Sequence, residues 1–143
     1  MSVEINMAGA RQMIERAFNN GDLGAVDELL LHSAVDHQEP AHTDFPSHLK
    51  RAVTMLRTAF PDLHFEIHHM LAGGDMVAFH STMTGTHLGP FQGQSPTGRA
   101  ISVRHMHFLR MVNGKGADLW HLWDTPALMK QIGAVPGSQP VRD

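Results

Sequence analysis

ISVRHMHFLRMVNGKGADLWHLWD, residues 101–124, decides the fold. Asn113-Gly114 separates two alternating apolar and polar segments. That dipeptide is the strongest short signal for a two-residue hairpin, because both central residues of a type I′ turn need positive φ. With a two-residue turn, Val112 pairs with Lys115. His107 then falls opposite Trp120, His105 opposite Leu122 and Val103 opposite Asp124. Side chains alternate along a strand, so this register places His105, His107, Trp120 and Asp124 on one face. His121 and Trp123 point the other way, and a slip of one residue would exchange the two sets.

The same period of two runs upstream. Phe65, Ile67, His69 and Leu71 alternate with polar partners, Gly73-Gly74-Asp75 supplies a turn, and Met76 to Thr86 continues as a second strand. A Gly- and Pro-rich connection, residues 85–98, joins the two hairpins. Before residue 64 the period is 3.6. Ala10, Met13, Ile14, Ala17 and Phe18 form the stripe of an amphipathic helix that stops at Asn20-Gly21-Asp22. Asp22 is the expected N-cap of a shorter helix through Leu30, and residues 34–38 read as a brief strand. A polar loop, residues 39–46, precedes a third helix capped by Ser47, with Leu49, Ala52, Val53, Leu56 and Phe60 on its apolar side and Pro61 as its stop. Pro126 opens a last helix that Gly133 ends.

Helices followed by antiparallel strands predict an α+β fold. About three N-terminal helices lie on one face of a curved, mostly antiparallel sheet. Three helices cannot fill a strongly curved sheet, so a cone enclosing a pocket is expected, a default ligand site. Residues 1–135 read as one domain and residues 136–143 as a tail.

Composition narrows the function. Of 143 residues, 42% are apolar and 17% charged, which suits one soluble core and neither a membrane span nor disorder. The net charge of −3, with both signs interspersed, gives no footprint for nucleic acid or an anionic membrane. A small apolar molecule is the expected partner. There is no cysteine and no signal-peptide pattern at the start of the sequence, so the expected compartment is cytoplasmic. Twelve histidines and ten methionines, against no tyrosine, suit a pocket lined by adaptable apolar groups and by side chains that titrate near neutrality.

Asp124 with His105 and His107 is an acid/base constellation. A carboxylate in an apolar pocket loses hydration, and its pKa moves toward the working pH. A neighbouring histidine can share its proton or donate to an enolate oxygen. The same spacing also fits a buried His-Asp pair that only ties two strands together. His105-x-His107 with Asp124 has the donor types of a two-histidine, one-carboxylate metal site, but no accompanying metalloprotein pattern is present, and no metal is expected. Phe18 and Phe60, on helix stripes, join His37, Trp120 and Phe91 as the expected substrate-lining set. Phe91 sits at the tip of a loop expected to be mobile at the cavity mouth.

AFPDLHF (59–65), TGTHLGPFQG (84–93), SPTGR (95–99), NGK (113–115) and WHLWDTPALMKQIGAV (120–135) together resemble the SnoaL-like polyketide (ester) cyclases of the nuclear-transport-factor-two-like superfamily. The resemblance spans residues 7–135. It implies a cone-shaped α+β barrel, commonly a homodimer, that works without a cofactor. It also implies aldol closure of a polyketide ester with an aspartate as general acid/base. The matching aspartate is Asp124, with His105 or His107 as helper. His37 takes the place of a polar residue facing the cavity. Absence of tyrosine and the loop EPAHTD (39–44) set this chain apart from the biosynthetic members. Two other functions fit the fold: a pocket protein that only binds, and an isomerase or hydrolase that uses the same carboxylate.

Overall fold

The computed structural model describes residues 2–133. The expected tail, 136–143, and the last two residues of the expected domain lie outside them. Helix α1 spans Val3–Gln12 and continues without a break as a π-helical stretch, Met13–Asn19. Then follow α2 (Gly24–Leu29), β1 (Leu30–Asp36), α3 (Phe45–Ala59), β2 (His64–Gly73), β3 (Met76–Thr86), β4 (Ala100–Val112), β5 (Lys115–Trp123) and α4 (Thr125–Gln131). The sheet runs β1-β5-β4-β3-β2, with β1 parallel to β5 and the other pairs antiparallel. Among the described residues it is five-stranded and open, so the expected cone is not a closed barrel there.

The hairpin signals behave as their chemistry requires. Asn113 and Gly114 have φ of 52° and 81°, and Val112 pairs with Lys115. The helix stripes also face inward: Ala10, Ile14 and Ala17 from the first helical segment and Leu49, Val53 and Leu56 from α3 are buried. Asn19 fixes the first segment to the sheet. Its side chain donates to the Phe65 carbonyl at 3.1 Å and accepts from the Phe65 amide at 2.7 Å, pairing as a neighbouring strand would.

Two caps differ from expectation. Asp44, rather than Ser47, caps α3: its Oδ1 accepts from the Ser47 amide at 3.3 Å, and Pro46 sits in the first turn, where its missing amide costs nothing. Asp22 does not cap α2 but pairs with Arg16 at 3.0 Å.

The 87–99 loop is pinned rather than mobile. The amides of Leu88 and Gly89 both donate to the Ala59 carbonyl at 3.0 Å. A Cβ on Gly89 would overlap the Thr58 carbonyl, so only glycine permits this approach. Phe91, expected to close over a ligand, is 1% exposed and packs on Phe60, ring centres 5.7 Å apart. Both rings belong to the core behind the cavity and not to its lining.

Candidate active site

Between the helices and the inner sheet face lies a cavity of about 460 Å³. Ile14 and Phe18 from the first helical segment, Leu49 and Leu56 from α3, and Phe79, Leu109 and Met111 from the sheet make most of its wall apolar. Its size falls within the range of pockets that enclose drug-sized ligands. Glu39, His48, Arg51 and Gln92 supply polar groups to the same lining.

One wall is different. His105 and His107 on β4 and His121 and Trp123 on β5 line the cavity as a group of rings. His105 and His107 stack at 4.0 Å between centres, and Phe79 stacks on His107 at 4.3 Å. Trp123 lies 5.7 Å from His105. His105 Nε2 is 3.0 Å from His121 Nδ1, and His121 Nε2 is 3.1 Å from Asp36 Oδ2. Asp36 Oδ1 accepts from the Gln38 amide at 2.9 Å. Asp36 is thus a buried carboxylate at the end of β1, joined through two imidazoles to the centre of the wall.

Burial holds the His105 pKa down to about 3, helped by the neighbouring His121 charge and opposed by Asp36. His107 is pushed well below its ordinary value, first by burial and then by His105 and His121. The residue as a whole is only partly shielded, yet its Nδ1 is fully enclosed. Burial alone would raise Asp36. Hydrogen bonds from His121 and the Gln38 amide outweigh it and hold the carboxyl below the usual range, so Asp36 is ionised. Among the described residues, the Nδ1 atoms of His105 and His107 have no hydrogen-bond partner.

This constellation is not the one the register from the turn implies. His107 lies opposite His121 and His105 opposite Trp123. The cause is a bulge: Arg110 pairs with Asp118 and Met111 with Gly116, leaving Ala117 unpaired. One extra residue reverses the facing of everything beyond it. Trp120 therefore sits on the outer face, where its ring stacks on His37 at 4.6 Å. His37 is outside as well, with Nε2 2.9 Å from Asp118 Oδ1, and neither residue lines the cavity.

Asp124 is exposed. Its Oδ1 accepts from the Ala127 amide at 3.0 Å and caps α4, a contact worth about 1 kcal/mol to a helix. Among the described residues its carboxylate makes no hydrogen bond to the wall histidines, and it does not line the cavity. Of the expected site residues, the structure brings together His105, His107 and Phe18. It adds Asp36, His121 and Trp123. The missed signal is Gly116, since an isolated glycine inside a strand often marks a bulge or a close approach. Here a Cβ would meet Leu30 Cδ2 at 2.8 Å.

The metal-type donors gathered within 4.8 Å of one another, among the described residues, are Asp36, Glu39 and His48, not the His105, His107 and Asp124 set. His48 Nε2 lies 3.3 Å from Glu39 Oε1 and Asp36 is engaged by His121, so these donors already serve protein partners. No helix among the described residues is long and apolar enough to cross a membrane.

A family model described as SnoaL-like polyketide cyclase matches residues 8–132. The chain is 31% identical over 139 residues to the aklanonic acid methyl ester cyclase DauD of Streptomyces sp. (strain C5), covering 93% of this chain and 83% of the relative. It is 30% identical over 124 residues to the nogalonic acid methyl ester cyclase of Streptomyces nogalater, covering 82% and 90%. Among solved structures, TsrD from Streptomyces laurentii superposes with a TM-score of 0.85 at 22% identity, covering 94% of this chain and 99% of that one, a likeness of fold. With the family model spanning nearly the whole described chain, and every residue that lines the cavity falling within it, this chain belongs to the SnoaL-like polyketide cyclase family.

Proposed function

We propose that the protein closes a ring in an apolar polyketide ester by intramolecular aldol addition, with the cavity histidines as general acid and base and no cofactor. The observation that carries this reading is a largely apolar, ligand-sized cavity whose sheet wall carries His105, His107 and His121. A base takes a proton from carbon beside a carbonyl, leaving an enolate. The folded substrate brings the enolate carbon against a second carbonyl carbon, and a carbon-carbon bond forms as that carbonyl becomes an alkoxide. The protonated histidine then returns its proton to the alkoxide, giving a hydroxyl. Atoms and charge balance without an added reactant. The enclosing walls supply orientation, which in well-placed intramolecular reactions is worth about 7–11 kcal/mol of the barrier. Asp124 has no part in this scheme, because its carboxylate caps a helix on the surface.

Incubation with the methyl ester of an anthraquinone-type polyketide acid tests the reading. The expected product has the mass of the substrate and a new carbon-carbon bond visible by carbon NMR. A product heavier by one water would indicate hydrolysis instead, and tight binding without any product would leave a carrier.

The outer sheet face supports pairing with a second copy. Leu71 and Leu122 are 76% and 71% exposed there, beside Met106 and Phe108. Contiguous apolar surface of this kind on a soluble protein marks an interaction site. Sedimentation velocity is expected to show a dimer that Leu122→Glu weakens; a parent protein that sediments as a monomer at high concentration contradicts it.

A further inference from the structure

The geometry points to Asp36, His121 and His105 as a proton relay in which His105 changes tautomer as His121 takes up the charge, so that His105 Nδ1 alternates between base and acid during ring closure. This rests on the cyclase reading for its substrate, but the hydrogen-bond directions stand without it.

The directions follow from the Asp36 charge and one premise of the relay, a single N–H on His121 at rest. Asp36 is ionised and can only accept, so the hydrogen in the 3.1 Å contact belongs to His121 Nε2. In the resting state of the relay His121 carries a single N–H, on Nε2, so its Nδ1 holds a lone pair and accepts from His105 Nε2 at 3.0 Å. His105 Nδ1 is then a bare lone pair. It is the ring nitrogen that has no partner among the described residues. The chain thus ends in a proton acceptor on a cavity-lining ring, an atom enclosed in this structure so that substrate must displace its neighbours to reach it, with a fixed negative charge at the far end.

This arrangement resolves a difficulty. A histidine as strongly desolvated as His105 makes a poor base if it must hold the positive charge itself. In the relay it does not. As a substrate C–H proton moves to His105 Nδ1, the proton on His105 Nε2 passes to His121 Nδ1. The charge then rests on His121, in contact with the Asp36 carboxylate, as an ion pair. His105 is neutral again but in the opposite tautomer, with Nδ1–H ready to donate to the alkoxide. Donation reverses both transfers and restores the starting state. Asp36 touches no substrate atom in this scheme and is a positioning residue, whereas His105 is the catalytic one. The other titratable groups nearby are His107, stacked on His105, and Glu39 and His48, gathered with Asp36. None of these lies between the three relay members.

Asp36→Asn tests the relay sharply. The amide oxygen of the replacement can keep the bond from the Gln38 backbone, which turns its NH₂ toward His121 Nε2. That ring nitrogen must then accept, and both rings flip to the Nδ1–H tautomer. His105 Nδ1 becomes a donor in the resting protein and cannot take a proton. In the Ser-His-Asp triad the same substitution, acting through the wrong tautomer, lowers kcat about 10⁴-fold. A fall of about 10³–10⁴-fold is expected here, with KM little changed.

Nitrogen NMR of histidine-labelled protein separates N–H from lone-pair nitrogens. The parent is expected to show Nε2–H on His105 and His121, and Asp36→Asn to show Nδ1–H on both. If Asp36→Asn does not fold, His121→Phe serves instead: His105 should lose its single tautomer and populate both. A parent with Nδ1–H on either ring, or variants that leave the tautomers unmoved, overturns the relay whatever the activity. Tautomers that switch as described in a protein that turns over no polyketide ester uphold the relay as a proton switch and defeat the cyclase reading alone.

Discussion

His105→Phe is expected to lower ring-closing turnover by about 10²–10⁴-fold, the usual contribution of a positioned acid or base. Phenylalanine keeps a ring of similar size against His107, Trp123 and Phe65, so the stacked wall survives. It removes both nitrogens, and with them the bond to His121 at 3.0 Å and the unpartnered Nδ1. His121 stays paired with Asp36 and cannot substitute fully, because its Nε2 already faces the carboxylate. The loss should fall on kcat. The apolar walls that hold the substrate are untouched, and an interaction made only as charge moves alters kcat and kcat/KM alike. A rise in KM with kcat preserved would assign His105 to binding.

Acid should destabilise the parent steeply below neutrality, and His105→Phe should remove a large part of that slope. An unfolded histidine takes up a proton near pH 6.5, whereas buried His105 resists protonation down to about 3. Between those values the unfolded state binds more protons, so stability is complete above the upper one and falls as pH drops. The slope is about 1.4 kcal/mol per pH unit, or about 2 kcal/mol lost by about pH 5 through His105 alone. His107 is shifted in the same direction and adds to the loss. Asp36 does not act in this window. Its carboxyl is lowered from an ordinary value of 3.8, so its contribution persists until the pH falls below that range. Denaturant titrations of parent and His105→Phe near neutrality and near pH 5 measure the difference, since the remaining histidines are common to both. Equal losses in the two proteins would show that His105 is not held neutral.

Local chemistry made much of the fold legible. Asn113-Gly114 required its turn, and the stripes through Ile14 and Leu56 required helices with one buried face. What the chain did not reveal was how distant segments meet. Asp36 reaches His121 across 85 positions, and it does so because β1 pairs parallel to β5, a contact that no alternation in either segment encodes. The 87–99 loop looked free because its glycines and prolines suit any turn. Its anchorage to Ala59 depends on a close approach visible only in three dimensions.

The candidate site shows how narrow the margin is. The turn fixed the register only as far as Val112 and Lys115, and one unpaired residue, Ala117, then exchanged Trp120 for His121 at the cavity wall. The alternation of facing was sound, but its phase depended on a bulge whose only local sign was Gly116. Asp124 fell just beyond the last strand pair. A carboxylate three residues before a free helix amide suits capping as well as catalysis, and the α4 geometry shows the cap. The family resemblance carried a role to this position without showing which way the side chain turns.

The central claim is that proton transfer belongs to the histidine wall and not to Asp124. Single-turnover ring closure of one polyketide methyl ester by the parent, His105→Phe and Asp124→Asn, measured side by side, tests it most directly. Asparagine caps a helix about as well as aspartate, so Asp124→Asn keeps its fold and should react within a few fold of the parent while His105→Phe falls by about two orders of magnitude or more. The reverse order, with Asp124→Asn inactive and His105→Phe near the parent rate, would contradict the account.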